Sequence, residues 1–301
     1  MGAAGVIGRY PDQQGKTRKE VLHMSLPADF WGRVVYLLER YGASFARGAG
    51  VTMVIALVST LLGCVIGFAV GVVQTIPTDK KKRPLNWAVM GVVKFLLNAY
   101  VEIFRGTPMM VQAMFIYYGS AQLFNIHMGM WEAALAIVSI NTGAYMAETV
   151  RGGILSIDPG QTEGAKAIGM DHVQTMTSVI LPQALRNIMP QIGNNLIINI
   201  KDTCVLSVIG TVELFFTTRG VAGALYTYFE AFTITMAIYF ALTFTCSRLL
   251  RWWEGKMDGP DSYELYDLST TDTLAHTTGM YSYPKRAKHP YRSRDIRDGG
   301  R

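Results

Sequence analysis

Long stretches without a charged side chain alternate with short polar connections along this chain. Four runs contain no Asp, Glu, Lys or Arg: residues 48–78, 106–131, 187–200 and 231–247. The first run alone exceeds the roughly 20 residues that a helix needs to cross the hydrocarbon core of a bilayer. The pattern predicts an all-α membrane protein with five transmembrane helices, near residues 48–76, 86–118, 130–150, 184–211 and 225–249.

Composition supports a membrane protein. Of the 301 residues, 50% are hydrophobic and 17% are charged, against a usual charged share of about 25% in soluble domains. Charged residues nevertheless fall within the predicted spans, among them Lys94, Glu102, Arg105, Glu148, Lys201 and Asp202. A charge costs about 2.5–3.5 kcal/mol at a helix centre, so these side chains must face protein, water or lipid headgroups. The three-residue spacings Glu102–Arg105 and Glu148–Arg151 allow pairing within a helix, which offsets part of that cost.

The chain divides into three predicted regions. Residues 1–42 are predicted to be a polar N-terminal segment that ends in an amphipathic helix at the membrane surface. Four apolar side chains lie close to one face of that helix: Phe30, Val34, Leu37 and Leu38. Residues 43–253 are the predicted transmembrane domain. Residues 254–301 lack a hydrophobic period, which predicts a polar, disordered tail.

Basic residues in short loops predict the orientation, because cytoplasmic loops carry an excess of Lys and Arg. They occur in three places: Lys80–Arg83, the connection with Arg151, Lys166 and Arg186, and the end of the last span with Arg248, Arg251 and Lys256. These regions are predicted to be cytoplasmic. With five spans, the N-terminus is then outside the cell and the C-terminus is in the cytoplasm.

The polar connection between the third and fourth predicted spans carries strong helix boundaries. Asp158 suits the N-cap, Pro159 suits the first helical position, and Gly169 can close the helix in a left-handed conformation. A short helix is therefore predicted at this connection.

The same connection resembles the cytoplasmic loop signature of ABC importer permeases. Glu163 is followed by Ala165 after two positions and by Gly169 after six, and Val179-Ile-Leu-Pro182 follows after nine further residues. The family usually has alanine where this chain has Gly164. In that family the loop is the docking element for the ATPase partner. The resemblance implies a coupling element that consists of Asp158, Gly160, Glu163, Gly164, Ala165, Ala167, Gly169 and Pro182.

Three further blocks narrow the resemblance to polar amino acid permeases of the histidine and glutamine type. The blocks begin at Tyr100 (YVEIFRGTPMMVQ), Asn141 (NTGAYMAETVRGGI) and Lys201 (KDTCVL). The last block has Cys204 where serine is common in the family. Together with the loop signature, the resemblance covers roughly residues 43–253.

The resemblance implies the transmembrane subunit of an ATP-driven amino acid importer in a bacterial inner membrane. Its expected partners are an ABC ATPase, a second permease subunit that is identical or homologous, and an external solute-binding protein, with membrane lipid around the spans and no nucleic acid. No enzymatic activity, metal or cofactor is expected on this chain. Gly15-Lys16-Thr17 lacks the earlier glycine of a phosphate-binding loop, so ATP and Mg are expected on the ATPase.

Polar residues within the spans are candidates for the substrate pathway. The sequence Gly106-Thr107-Pro108 interrupts the second span, and such a break either borders a translocation cavity or is a simple kink. The candidates are Arg105, Thr107, Gln112, Tyr145, Glu148, Lys201 and Asp202. Glu148, Asp202 and Tyr145 are plausible contacts for a substrate ammonium. Lys201 or Thr107 would contact its carboxylate.

Other classes of function stay open at this point. A gated channel would need a ring of like residues or a carbonyl filter motif, and a membrane-embedded enzyme would need a catalytic constellation at membrane depth. Neither pattern is present in the sequence. The nearer alternative is an ABC permease for another small solute.

Overall fold

The computed structural model describes residues 26–77 and 84–257, without the side chains of residues 86 and 257. The predicted polar N-terminal segment up to residue 25, the basic loop Lys80–Arg83 and almost all of the predicted tail lie outside these residues. The helices are α1 (Phe30–Thr75), α2 (Pro84–Gly106), α3 (Met109–Phe124), α4 (Met130–Leu155), α5 (Pro159–Ala167), α6 (His172–Thr175), α7 (Leu181–Asp202), α8 (Leu214–Leu225) and α9 (Tyr228–Met257). The described residues contain no strand, which confirms the all-α class.

The first helix is longer than the sequence predicts. α1 has 46 residues and is about 69 Å long at 1.5 Å per residue. The predicted surface helix and first span are therefore one continuous helix. Val34 and Leu37 are buried in a cluster with Leu214 of α8 and Ala231 of α9. This packing stabilises the helix on the N-terminal side of the uncharged run that begins at residue 48. Leu38 does not share this face, because it is 47% exposed.

Glycines bring α1 and α4 into close contact. Gly63, Gly67 and Gly71 follow one another at four-residue steps on α1 and are all buried. A Cβ added at Gly63 would lie 2.6 Å from the Cβ of Thr142, and one added at Gly67 would overlap the Cβ of Met146. Small residues at such spacing let membrane helices approach backbone to backbone. The central helix pair thus depends on the absence of side chains along this stripe.

Replacing Gly67 with alanine should destabilise the protein by about 1–3 kcal/mol, the usual cost of overpacking a tight core. The measurement is thermal unfolding of the detergent-purified protein. Gly50→Ala is the matched control, because a Cβ at this position of the same helix meets nothing within 4 Å. The control should be neutral or slightly stabilising, since alanine has the higher helix propensity. Equal melting temperatures for the two variants would contradict the close packing of α1 on α4.

Two predicted spans are interrupted. The second, predicted near 86–118, consists of α2 and α3 with the break at Thr107 and Pro108. The fourth, predicted near 184–211, consists of α7 and a 3-10 turn over Thr203–Ile209, after which Gly210 has a φ of +86°. The chain then bends by 55° into α8. The expected break at Thr107 is confirmed, whereas the bend after Ile209 was not predicted.

Glu213 fixes the direction of α8 after this bend. Its carboxylate accepts the backbone N–H groups of Phe215 at 2.8 Å and Phe216 at 2.7 Å, and the hydroxyl of Tyr239 donates to it at 3.0 Å. The side chain is fully buried. A buried carboxylate is tolerated here because hydrogen bonds from α8 and α9 satisfy it.

Within the described residues, three helices are long and apolar enough to cross a membrane: Phe30–Thr75, Trp87–Gly106 and Tyr228–Lys256. The bent pair that ends with α8 would be a fourth. α4 does not meet the same criterion although it has 26 residues, 13 of which are buried. Because α4 packs against α1, α2, α3 and α7, its surface can be less apolar than that of a lipid-exposed helix. The total of five spans stays a prediction.

Candidate translocation pathway and coupling helix

One buried amide closes the break between α2 and α3. Pro108 has no N–H, so the carbonyl of Phe104 loses the partner it would have in a continuous helix. The Nε2 of Gln112 lies 2.9 Å from that carbonyl and 2.8 Å from both the carbonyl and the hydroxyl oxygen of Thr107. Asn141 of α4 donates to the Oε1 of Gln112 at 2.9 Å. Gln112 is only 6% exposed, so its amide holds the break in place and is not free to bind a solute.

A pocket of about 300 Å³ with both apolar and polar lining lies beside this break. The junction of α2 and α3, together with α4 and α7, forms its walls. Its polar side chains are Thr107, Asn141, Thr142, Tyr145, Asn195, Asn199 and Asp202. Asp202, half-buried at the end of α7, is the charged residue of this lining. One carboxylate among several amides and hydroxyls can accept an ammonium group and hydrogen-bond a polar side chain.

Asn199 connects three helices at the wall of this pocket, which we call the central pocket. Its Nδ2 donates to the hydroxyl of Thr60 on α1 at 2.8 Å and to that of Thr142 on α4 at 3.0 Å. The side chain is buried. Asn199 and Asn195 are absent from the predicted pathway residues, and Asn141 was named only as the start of a matched block, because neutral amides do not interrupt an uncharged run. Several asparagines within the run 187–200 were the signal that could have identified two of them.

Glu148 of α4 pairs with two arginines. Arg105, in the last turn of α2, forms an ion pair with Glu148, and Arg151 lies 3.8 Å from it one turn along α4. The predicted Glu148–Arg151 pair is therefore confirmed. The predicted pair between Glu102 and Arg105 is wrong: the structure shows no ion pair between them in its described part, because Arg105 turns toward α4. The guanidinium of Arg105 also lies over the ring of Tyr145, 5.6 Å from its centroid.

A second cavity, of about 440 Å³, is lined in part by this ion pair. Its lining includes Gln74, Lys94, Asn98, Glu102, Arg105, Glu148 and Arg151. Tyr145 lines the central pocket, whereas Arg105 and Glu148 line this second cavity. The contact between Arg105 and Tyr145 therefore stands between the two spaces. Lys201, which is exposed, lines neither of these two cavities.

The short helix predicted between the third and fourth spans is present as α5. The Asp158 carboxylate accepts the N–H of Gly160 at 2.6 Å, and Pro159 opens the helix. Gly169 has a φ of +85°, and its N–H donates to the carbonyl of Lys166 at 3.0 Å. The N–H of Met170 donates to the carbonyl of Ala165 at the same distance. These two bonds form a Schellman motif, so both predicted ends of the helix are confirmed.

Most of the predicted coupling residues are exposed. Of the eight residues, Ala165 is buried. The other seven are exposed: Asp158, Gly160, Glu163, Gly164, Ala167, Gly169 and Pro182. Gly164 has nothing within 4 Å of an added Cβ. Two large apolar side chains that the sequence did not single out are exposed beside them: Ile168, at 80%, and Val173. Such a mixed polar and apolar surface is suited to a protein partner.

The comparison with known families decides the identity. The family described as "Binding-protein-dependent transport system inner membrane component" matches residues 87–258. The chain belongs to this family. The interpretation as a permease subunit of an ABC importer is thereby confirmed, and the chain is a multi-pass protein of an inner membrane. As such a permease it functions as a transport subunit with an ATPase and a solute-binding protein.

Curated relatives of this permease agree with the family. The glutamine transport system permease protein GlnP of Escherichia coli (strain K12) is 34% identical over 228 residues, which are 75% of this chain and 95% of that protein. The arginine transport system permease protein ArtQ of Bacillus subtilis (strain 168) is 33% identical over 196 residues, which are 65% of this chain and 84% of that protein.

Solved structures share the fold. The crystal structure of an amino acid ABC transporter with histidines superposes on this permease with a TM-score of 0.66 at 32% identity. The match covers 76% of this permease and 99% of that chain. An inward-facing methionine ABC transporter, MetNI, gives a TM-score of 0.54 at 21% identity over 69% of this permease and 94% of that chain. The second likeness concerns the fold alone.

Proposed function

We propose that this permease imports polar amino acids. The names of the relatives for glutamine and arginine transport, and of the amino acid transporter solved with histidines, support this substrate class. The observation that carries the proposal is the central pocket, because it combines one carboxylate with several amides and hydroxyls beside a broken helix. A zwitterionic solute with a polar side chain finds a partner for each of its groups there.

The solute passes from the central pocket to the second cavity through the contact of Arg105 with Tyr145. Asp202 and Tyr145 receive the ammonium group, and Thr107, which lines the same pocket at the helix break, meets the carboxylate once its hydroxyl releases the carbonyl of Ile103. Glu148 acts through its pair with Arg105, which holds α2 against α4, and through its pair with Arg151 within α4. Gln112 positions the break, and Lys201 has no direct role in this pathway.

α5 docks to a separate ABC ATPase, which binds ATP and Mg²⁺, so this chain needs no nucleotide site of its own. The exposed residues of α5 with Ile168 and Val173 supply the contact. A second permease subunit completes the pathway, and an external binding protein delivers the amino acid. Residues 43–253 form the permease domain, the N-terminus lies outside the cell, and the tail after residue 253 is cytoplasmic.

Reconstitution with the partner ATPase into liposomes tests the function. Labelled glutamine, arginine and histidine should accumulate only when ATP and the external binding protein are supplied. Passive equilibration of the labelled amino acids without a nucleotide-hydrolysing partner would favour a channel and would contradict the importer. If the complex accumulates none of the amino acids in a broad panel, the permease acts on another small solute.

Asp202→Asn should reduce amino acid uptake by about tenfold or more, because hydrogen bonds to charged groups contribute roughly 1.5–3 kcal/mol. Asparagine keeps the shape of the side chain and removes the charge that receives the ammonium. The measurement is the initial uptake rate in the reconstituted complex. Asp29→Asn, an equal change at the N-cap of α1 where asparagine also caps well, should leave uptake unaltered. Wild-type uptake in the Asp202 variant would remove this residue from the pathway.

A further inference from the structure

A winding row of aromatic and basic side chains follows α9 at four-residue steps. They are Phe240, Phe244, Arg248, Trp252 and Lys256, which we call the α9 stripe. All five are exposed within the part of the chain that the structure describes, and Trp252 is exposed to 60%. Residues four apart are neighbours on a helix, so the stripe is a continuous row about 24 Å long that winds by about 40° at each step.

The opposite face of α9 packs against α7. A Cβ added at Gly193 of α7 would lie 3.3 Å from the methyl groups of Leu250 and 3.5 Å from the Oε1 of Glu254. At 100° per residue, Leu250 and Glu254 lie about 160–200° from Trp252 around the helix. The basic end of the stripe, Arg248, Trp252 and Lys256, therefore faces away from α7, and the nearby acid Glu254 lies on the other side of the helix.

Ring contacts order the side chains of the stripe. The rings of Phe240 and Phe244 are stacked with centroids 5.7 Å apart. The guanidinium of Arg248 lies 5.0 Å from the centroid of Phe244, and the Nζ of Lys256 lies 3.9 Å from that of Trp252. Cation–π contacts of this kind hold the two charges along the helix surface. Their remaining hydrogen-bond donors stay available to an anion.

The position of the stripe along the helix matches the edge of a bilayer. The uncharged run 231–247 has 17 residues, about 26 Å of helix against a hydrocarbon core of about 30 Å. Arg248 follows directly after that run and Trp252 comes one turn later, where headgroups and the aromatic belt are expected. The end of α9 contacts α7 near Gly193.

We propose that the α9 stripe binds an anionic phospholipid of the cytoplasmic leaflet. Arg248 and Lys256 pair with the phosphate and the anionic headgroup, while Phe240 and Phe244 lie along the acyl chain. Charge complementarity selects this occupant, because the stripe has two cations and no acid. The assignment to the cytoplasmic leaflet rests on the orientation in the proposed function, whereas the lipid site itself does not need transport to be measured.

The test compares spin-labelled phosphatidylglycerol with spin-labelled phosphatidylcholine bound to the purified permease–ATPase complex in phosphatidylcholine vesicles. The wild-type complex should prefer the anionic lipid. The double variant Arg248→Gln/Lys256→Gln should lose about fivefold in preference for each cation removed. Arg40→Gln/Arg47→Gln removes the same charge from exposed positions near the other end of the protein and should keep the preference. A conservative double variant, Arg248→Lys/Lys256→Arg, should keep it as well.

Several results would overturn the proposal. Unchanged preference in the glutamine variant removes the stripe as the site, and an equal loss in the Arg40/Arg47 control assigns the effect to net charge alone. Loss of preference in the conservative variant means that the cationic charge is not the determinant. Displacement of the labelled lipid by inorganic phosphate at constant ionic strength assigns the site to a free anion. Uptake assays on the same complexes report separately on the transport function.

Discussion

Exchanging Glu163 for lysine should abolish ATP-driven uptake while leaving the permease folded. Glu163 lies in the middle of α5, is exposed, and forms no ion pair among the described residues. Its reversal therefore changes little inside the permease and much on the surface offered to the ATPase. Replacing a hot-spot residue of a protein interface typically costs more than 1 kcal/mol of binding free energy and up to several. The affinity for the ATPase should therefore fall by about tenfold or more.

Co-purification of the ATPase and the rate of uptake measure this effect together. Glu39→Lys makes the same charge change at an exposed position of α1, far along the chain from the coupling helix, and should not affect either measurement. Melting temperatures of both variants should equal that of the parent. If the Glu163 variant binds the ATPase and takes up amino acids normally, α5 is not the coupling element.

Local signals explain why the sequence predicted α5 so well. Asp158, Pro159 and Gly169 each act on their own few residues of backbone, so their effect does not depend on the rest of the fold. The break at Pro108 is equally local. Uncharged runs predicted the main helices for the same reason, because a bilayer acts on each segment by length and apolarity.

Predictions failed where the structure depends on a contact with a residue that is distant in the sequence. The intrahelical pair of Glu102 with Arg105 is reasonable by spacing, yet Glu148 of α4 takes the arginine. The unbroken path of α1 past residue 43 follows from its packing on α8 and α9, and the sequence of α1 alone does not encode those neighbours. α4 shows the same limit, since a helix covered by protein no longer needs the apolarity that identifies a lipid-exposed span.

The same distinction between local signals and contacts with distant residues applies to the candidate site. Its charged members, Asp202 and Glu148, are visible in the sequence because charges are rare within apolar runs. The partition between two cavities by Arg105 and Tyr145 depends on the approach of α2 to α4 and could not be read from spacing. Gln112 shows both effects, because its place near a helix break is evident from the sequence while its role becomes clear only from its contacts.

Replacing Gln112 with leucine should destabilise the permease by about 3 kcal/mol, because buried polar groups left without partners cost about 1–3 kcal/mol each. The carbonyl and hydroxyl of Thr107 lose the Gln112 Nε2, the carbonyl of Phe104 loses one of its two amide donors, and the amide of Asn141 loses an acceptor. Thermal unfolding should then occur about 2–4 °C lower for each kcal/mol lost, and uptake should fall because the break shapes the central pocket. Gln122→Leu changes the same residue type at an exposed position of α3 and should unfold like the parent. A Gln112 variant as stable as this control would mean that other groups or water satisfy the break, and the buried amide would no longer explain how a proline-interrupted span persists in the membrane.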